Sequence, residues 1–178
     1  MDCEEKAHET VNILMVDDKP ENLMALEGLL EAPGINFVKT LSGTEALKAI
    51  LEQDFALILL DVRMPVMDGF ETARLIKQRE KSRDIPIIFL TAVSKDDKFI
   101  SEGYSVGAVD YMLKPFDPYI LKSKVSVFVE LYRKNLQLQC LNRELEKSRS
   151  ALEEATEALH AVNETPAQKE DDQEQIAG

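Results

Sequence analysis

Several residue types are scarce in this sequence, and each scarcity excludes a class of protein. The chain has 178 residues, of which two are Cys and none is Trp. Cys3 and Cys140 lie far apart, with no further Cys or His at metal-binding spacing, so we expect two reduced thiols and no structural metal site. No apolar run approaches the ~20 residues of a membrane-spanning helix, and the acidic start does not resemble a secretory signal. We therefore predict a cytoplasmic protein that makes no membrane contact.

Basic residues are also in deficit. The chain has 21 Lys and Arg against 33 Asp and Glu, which gives a formal net charge of −12. Affinity for nucleic acid comes largely from cationic side chains that displace counterions, so we predict no direct nucleic-acid binding. Apolar residues, in contrast, make up 44% of the chain, which is enough for one packed domain of roughly 100 to 150 residues and an appendage.

Apolar segments alternate with helical patterns along the first two thirds of the chain. The central segment, Leu57 to Leu60, is continuously apolar, which is typical of a strand buried on both faces of a parallel sheet. The predicted strands are 11–16, 37–41, 57–60, 85–90 and 108–113, and the predicted helices begin near Pro20, Thr44, Asp68, Asp96 and Pro118. This alternation predicts a three-layer α/β domain with right-handed crossovers and a mostly parallel sheet.

Polar residues follow four of these strands: Asp17 and Asp18, Asp61, Thr91, and Lys114. Each alone could cap a helix or lie on the surface. Together they indicate a site, because ligands of open parallel sheets bind beyond the carboxyl ends of the strands. Three crowded carboxylates need a cation, and hard oxygen ligands favour Mg²⁺. An ammonium and a hydroxyl opposite the metal would suit a phosphoryl group.

The motifs at these strand ends resemble those of a known family. Over about residues 11 to 130 the chain is similar to the receiver domains of two-component response regulators, of the type followed by a C-terminal coiled coil. The resemblance implies a flavodoxin-like, doubly wound sheet with strand order 2-1-3-4-5. The motifs are Val16-Asp17-Asp18, Leu60-Asp61-Val62-Arg63-Met64-Pro65, Asp68-Gly69, Leu90-Thr91-Ala92 and Lys114-Pro115-Phe116.

The resemblance also implies a phosphorylation reaction. Asp61 is the expected phosphoacceptor, taking the phosphoryl group from a phosphohistidine of a histidine kinase or a phosphotransfer protein. Asp18 and Asp61 are expected to bind Mg²⁺ directly, Asp17 to bind it through water, and Arg63 to bind it through its backbone carbonyl.

Further roles come from the same resemblance. The expected phosphoryl ligands are the Thr91 hydroxyl, the Ala92 amide and the Lys114 ammonium, with Lys114-Pro115 in the cis form. Thr91 and Tyr111 are the expected switch residues, which move together when the site is phosphorylated. The face formed by the fourth predicted helix, the fifth strand and the fifth helix then rearranges and changes a partner surface.

The end of the chain predicts a long helix. No Pro occurs between Pro118 and Pro166, so one helix could extend for about 45 residues. Leucines recur every seven residues there, which predicts a coiled coil and a homodimer, with parallel pairing favoured and antiparallel pairing left open. The second series, three residues later, is mixed and should weaken the pairing: Lys134, Leu141, Ser148, Ala155 and Val162. A solitary amphipathic helix is the alternative. The seam residues are Leu131, Leu138, Leu141, Leu145, Leu152, Ala155, Leu159 and Val162.

These patterns predict four regions: a flexible N-terminus at 1–10, a receiver domain at 11–118, a long helix and coiled coil at 119–163, and a disordered tail at 164–178. The favoured function is a phosphorylation switch that signals through its coiled coil. The alternative is a Mg²⁺-dependent phosphatase with an Asp nucleophile. Such phosphatases resemble one another in an Asp-x-Asp sequence, and Arg63 stands at the second Asp position here. We expect no catalysis beyond self-phosphorylation and slow self-dephosphorylation.

Overall fold

One parallel sheet organises the globular part of the protein. A computed structural model describes residues 10–92 and 110–163. Its strands are β1 (Val11–Val16), β2 (Ile35–Thr40), β3 (Leu57–Asp61), β4 (Ile87–Thr91) and β5 (Asp110–Leu113). All neighbouring strands pair in parallel, in the order β2-β1-β3-β4-β5, which confirms the predicted flavodoxin-like topology.

Helices connect the strands, and their first residues explain where they begin. The described helices are α1 (Pro20–Leu30), α2 (Gly43–Glu52), α3 (Gly69–Gln78) and α4 (Pro118–Asn163). Pro20 occupies the first turn of α1, where its missing N–H costs no hydrogen bond. The side chains of Ser42 and Asp68 cap α2 and α3 by accepting from the backbone N–H three residues on. The helix predicted at 96–105 lies outside the described residues.

Two apolar layers cover the sheet, and β3 contributes to both. Leu57 and Leu59 pack in the layer that includes residues of α1 and α4. Ile58 and Leu60 point the other way, into the layer beneath α2 and α3. None of these four side chains is more than 1% exposed. The prediction of a strand buried on both faces is confirmed, and this burial fixes Asp61 at the strand end.

The helix α4 extends through both of the compact units into which the chain divides, Met1–Leu136 and Gln137–Gly178. In the first unit its buried residues Leu121, Val125 and Val129 join the core that covers one face of the sheet. In the second unit its described side chains from position 141 onward are exposed. No helix in the described parts of the chain is both long and apolar enough to cross a membrane.

Some details differ from the sequence-based predictions. The strand β2 begins at Ile35, earlier than predicted, because Gly34 makes the preceding turn with a φ of +72°. Cys140 is disulfide-bonded, so the expectation of a reduced thiol at this position was wrong. That expectation rested on sequence separation, which does not limit which residues a fold brings together. Cys3 lies outside the described residues.

Candidate functional site

Asp17 directly follows β1 and is held by the start of α1. It is 2% exposed. Its Oδ1 accepts from the backbone N–H of Lys19 at 3.0 Å, and the Asn22 side-chain amide donates to both of its carboxylate oxygens at 2.9 Å. These hydrogen bonds fix the carboxylate and partly offset the unfavourable free energy of burying it. Sequence reasoning did not assign a role to Asn22; its place one helical turn after the acidic pair was the available signal.

Lys114 joins Asp17 to Asp61. Asp61 is the last residue of β3, and Lys114 directly follows β5. The Lys114 ammonium donates to Asp61 Oδ1 at 2.7 Å and to Asp17 Oδ2 at 2.8 Å. The second oxygen of Asp61 accepts from the backbone N–H of Arg63 at 2.8 Å. Three strand ends therefore meet in one hydrogen-bonded cluster, as the sequence predicts.

The charges of this cluster are not balanced. Burial raises the pKa of Asp61, and the charge of Asp17 adds to this effect, while Lys114 and the Arg63 N–H oppose it. Burial lowers the pKa of Lys114, but its bonds and charge interactions with Asp17 and Asp61 outweigh burial, and the net shift is upward. One ammonium thus serves two buried carboxylates, and the cluster keeps an uncompensated negative charge.

The other predicted site residues lie on the strands of this sheet or follow them by one or two residues. Asp18 is half-buried beside Asp17, and Arg63 is exposed. Thr91 is buried at the end of β4, and its backbone carbonyl accepts from the Lys114 N–H at 2.7 Å. Ala92 is exposed next to it, and Tyr111 lies half-buried on β5.

Two further structural features bear on the predictions. The Lys114–Pro115 bond is cis, as predicted. Within residues 10–92 and 110–163, the structure forms no cluster of three or more acidic, His or Cys side chains that could bind a metal. The Lys114 ammonium lies between the two buried carboxylates.

The loop after Asp61 is tightly constrained. A Cβ at Gly69 would lie 2.3 Å from the Asp61 carbonyl oxygen, so only Gly fits there. Val66 has a φ of 70°, which is unfavourable for a β-branched residue, and its side chain is fully exposed. The Met67 N–H donates to the Pro65 carbonyl at 2.8 Å across this turn. The strain at Val66 gave no sequence signal, since Gly or Asn is expected at a positive φ.

Residues 13–126 match the model of the response regulator receiver domain. The chain belongs to this family. Receiver domains are in general non-enzymatic phosphoacceptors that bind Mg²⁺ and interact with histidine kinases and phosphotransfer proteins. This chain is accordingly a receiver domain of two-component signalling, and the match does not favour the phosphatase alternative.

Individual relatives agree with this assignment. The transcriptional regulatory protein ZraR of Escherichia coli K12 is 39% identical over 110 residues, which cover 62% of this chain and 24% of ZraR. The chain therefore spans about a quarter of that relative.

Solved structures of receiver domains match this chain over nearly the whole of their own length. Chemotaxis protein CheY4 of Vibrio cholerae is 30% identical with a TM-score of 0.61, covering 67% of this chain and 98% of CheY4. The receiver domain of sensor histidine kinase PA1611 of Pseudomonas aeruginosa is described with a magnesium ion coordinated in its active site cleft. It is 32% identical with a TM-score of 0.60, covering 67% of this chain and 97% of that domain.

Proposed function

We propose that Asp61 accepts a phosphoryl group from a phosphohistidine on a kinase or phosphotransfer protein, in a Mg²⁺-dependent reaction. The observation that carries the proposal is the Lys114 ammonium bound to both Asp61 and Asp17 at the carboxyl edge of the sheet. The buried carboxylate of Asp61 lies beside a fixed cation and keeps an exposed side-chain fraction of 11%. It is therefore both held in place and within reach of a donor.

The proposed reaction is a nucleophilic displacement. A carboxylate oxygen of Asp61 forms a bond to phosphorus while the phosphorus–nitrogen bond of the phosphohistidine breaks, and the imidazole nitrogen keeps the electron pair and takes a proton. The Arg63 N–H holds one carboxylate oxygen and so orients the other. Lys114, the Thr91 hydroxyl and the Ala92 amide are then the donors to the phosphoryl oxygens.

The donor set fits Mg²⁺. Two buried carboxylates share one ammonium, so the cluster lacks positive charge, and carboxylate oxygens are the hard ligands that this ion prefers. Asp17, Asp18, Asp61 and the Arg63 carbonyl are the residues that would hold it, with water at the other positions. When bound, Mg²⁺ would neutralise the carboxylates and stabilise charge on the transferring phosphoryl group.

The proposed switch connects β4 to β5. Thr91 ends β4 and Tyr111 lies on β5, where its ring packs half-buried against the core. Phosphorylation would draw the Thr91 hydroxyl toward the phosphoryl oxygens, and Tyr111 would follow into the vacated space. Both residues already make contacts in this state, so the switch exchanges one set of interactions for another.

The proposed output is a homodimer formed by the second part of α4. Leu138, Leu145, Leu152 and Leu159 are 57%, 67%, 66% and 65% exposed, although they recur at the spacing of a coiled-coil seam. Leu141 is 58% exposed in the second series, which continues through Ala155 and Val162. A second chain is the partner that a seven-residue repeat fits. The proposal includes a cytoplasmic location and no contact with nucleic acid or membrane.

Phosphoryl uptake tests the proposed acceptor. Incubation with Mg²⁺ and acetyl phosphate should add one hydroxylamine-labile phosphoryl group per chain, measured by intact mass. Asp61→Asn should take up none, whereas Asp84→Asn, at an exposed aspartate, should behave like the wild type. Absence of uptake by the wild type, or uptake by Asp61→Asn, would contradict the assignment.

A further inference from the structure

The connection between α3 and β4 holds a lysine side chain through backbone carbonyls. Lys77 lies in the last turn of α3 and is half-buried. Its ammonium donates to the carbonyl oxygen of Arg83 at 2.7 Å and to that of Ile85 at 2.8 Å. The Ser82 hydroxyl donates to the Ile76 carbonyl at 2.7 Å and ties the same connection to the helix. The nitrogen of Lys77 is therefore held in place by two neutral acceptors.

This arrangement suits a neutral amine as well as an ammonium. An ammonium has three N–H donors, whereas a neutral amine has two N–H donors and a lone pair. The two carbonyls accept two N–H groups in either form, so the neutral amine would keep both hydrogen bonds and direct its lone pair away from them. Burial lowers the pKa of Lys77, and the charge of Asp84 opposes this effect only in part. The nucleophilic form is thereby easier to reach than in an ordinary lysine.

The other lysines in the described ranges 10–92 and 110–163 do not share this combination. Lys39, Lys114 and Lys124 donate to carboxylates, whose charge stabilises the ammonium form. The remaining described lysines are exposed, so water stabilises their charge. Among these ranges, partial burial together with hydrogen bonds to carbonyls alone is found at Lys77.

The segment that carries Lys77 is basic, although the chain as a whole is acidic. Residues 74–84 contain five basic and two acidic side chains, a net charge of +3, whereas the whole chain has a net charge of −12. Such a patch raises the local concentration of small anions. It therefore favours a reactant that carries negative charge. The other basic residues of the segment are all exposed: Arg74, Arg79, Lys81 and Arg83.

We infer that Lys77 is a site of acylation by an acyl phosphate, a small anion with an electrophilic carbonyl carbon. The Lys77 nitrogen forms a bond to the acyl carbon, and the bond from that carbon to the phosphate oxygen breaks. Phosphate leaves with the electron pair, and the proton of the nitrogen passes to solvent. The reaction is independent of the phosphorylation of Asp61, because the amine attacks carbon whereas the carboxylate attacks phosphorus.

Acylation would change the start of β4. The amide that forms has one N–H and no charge, so either the Arg83 or the Ile85 carbonyl loses its donor. The connection after α3 leads directly into β4, which ends at Thr91. Acylation would therefore loosen the entry to the strand that carries a proposed switch residue.

Site-resolved acetylation of the full chain tests the inference. The protein is incubated with acetyl phosphate at neutral pH, treated with hydroxylamine to remove the phosphoryl group of Asp61, and digested with a protease that does not cleave at lysine. Mass spectrometry then gives the initial acetylation rate of each lysine. Lys77 should react about fivefold or more faster than Lys81, which is exposed in the same basic segment. Lys81 should react about twofold faster than Lys48, which is exposed on α2 outside that segment.

The two comparisons separate the two parts of the inference. A rate at Lys77 no higher than that at Lys81 would overturn the inference and leave Lys77 a purely structural role. Equal rates at Lys81 and Lys48 would overturn the choice of an anionic acyl donor. Because all of these rates are read within the wild-type chain, the result does not depend on how a variant folds.

Two variants complete the test. Lys77→Arg keeps a cation and N–H donors for both carbonyls, so it should retain the thermal unfolding midpoint and lose acetylation at this position alone. Asp61→Asn should acetylate at Lys77 at the wild-type rate, and a dependence of that rate on Asp61 would contradict the independence of the two reactions. If the wild type is acetylated at Lys77 but takes up no phosphoryl group, the Asp61 assignment fails and this inference stands.

Discussion

Two regions of this protein place residues where they are usually not found, and they do so in opposite ways. At the carboxyl edge of the sheet, the charged groups of Asp17 and Asp61 are buried. Along α4 beyond Gln137, leucines such as Leu145 and Leu152 are two-thirds exposed. Charged residues are seldom buried without a partner, and a regular row of exposed leucines is equally uncommon. Each departure has a local cost, and the binding proposed above, of Mg²⁺ at the site and of a second copy along α4, would offset it.

The two regions differ in how far contacts within the single chain offset these costs. Asp17 and Asp61 receive hydrogen bonds from Asn22, Lys114 and backbone N–H groups, and lack one positive charge. The leucines of the second unit have more than half of their surface in solvent. We therefore expect substitutions at the site to change the stability of the single chain, and substitutions in the seam to change mainly its association.

The largest expected difference is between two leucines. Leu59→Ala removes a side chain that is 1% exposed in β3, and should lower the free energy of unfolding by about 2–5 kcal/mol through lost burial and a residual cavity. Leu145→Ala, at 67% exposure, should lower it by less than about 0.5 kcal/mol when the protein is too dilute to dimerise. Urea unfolding followed by circular dichroism measures both. Equal losses would contradict the contrast between the regions.

Removal of the shared ammonium should have the next largest effect. Lys114→Met leaves Asp17 and Asp61 facing each other without a cation, and should destabilise the chain by about 2 kcal/mol at neutral pH, since the Lys114 side chain is 24% exposed and partly screened. The loss should shrink on acidification, because protonated carboxyls no longer repel. Urea unfolding at neutral and acidic pH measures the change, with Lys48→Met at an exposed lysine as the control. A loss that does not depend on pH would exclude the electrostatic cause.

Asp61→Asn should have a smaller effect of opposite sign. The pKa of Asp61 is raised in the folded chain, so its stabilising contribution is complete below the ordinary pKa of 3.8 and is lost as the pH rises through the raised value. At neutral pH the ionised form of Asp61 is therefore less favourable in the folded chain than the neutral form, and its replacement by the neutral amide should stabilise the protein. The gain should disappear in acid. Thermal unfolding across this pH range measures it, and Asp84→Asn, at an exposed aspartate, should show neither effect.

Local sequence patterns predict the strands and their ends well, because a continuous apolar run such as Leu57–Leu60 has to be buried in any stable fold. They also bring Asp17, Asp61 and Lys114 to one edge, since parallel strands end on the same side of a sheet. The contact between Asp17 and Lys114 joins residues 97 positions apart and follows from topology alone. That part of the site is a consequence of the fold class, which explains why it could be predicted.

Other parts of the site depend on packing that no local pattern reports. Asn22 lies in the first turn of a helix, where a polar residue is expected to contact only water. Its two hydrogen bonds to Asp17 depend on how α1 is placed relative to the end of β1. Val66 adopts a positive φ, which is unfavourable for a β-branched residue, so a Val at this position does not predict the turn that the chain makes there. The disulfide bond of Cys140 likewise depends on tertiary structure.

The smallest expected effect concerns an exposed ion pair and sharpens the contrast with Lys114. Arg149 donates to Glu153 at 3.0 Å within α4, and both side chains are more than 60% exposed. Solvent screens such a pair, so Arg149→Ala should lower the stability of the single chain by less than about 0.5 kcal/mol. Glu144, five residues before Arg149, is placed to compete for the same guanidinium across a parallel dimer. A double-mutant cycle on Glu144 and Arg149, measured on the dimer dissociation constant, should therefore give a favourable coupling that unfolding of the dilute chain does not show. Coupling in neither measurement would indicate that Arg149 interacts only with Glu153 and plays no part in pairing the helices.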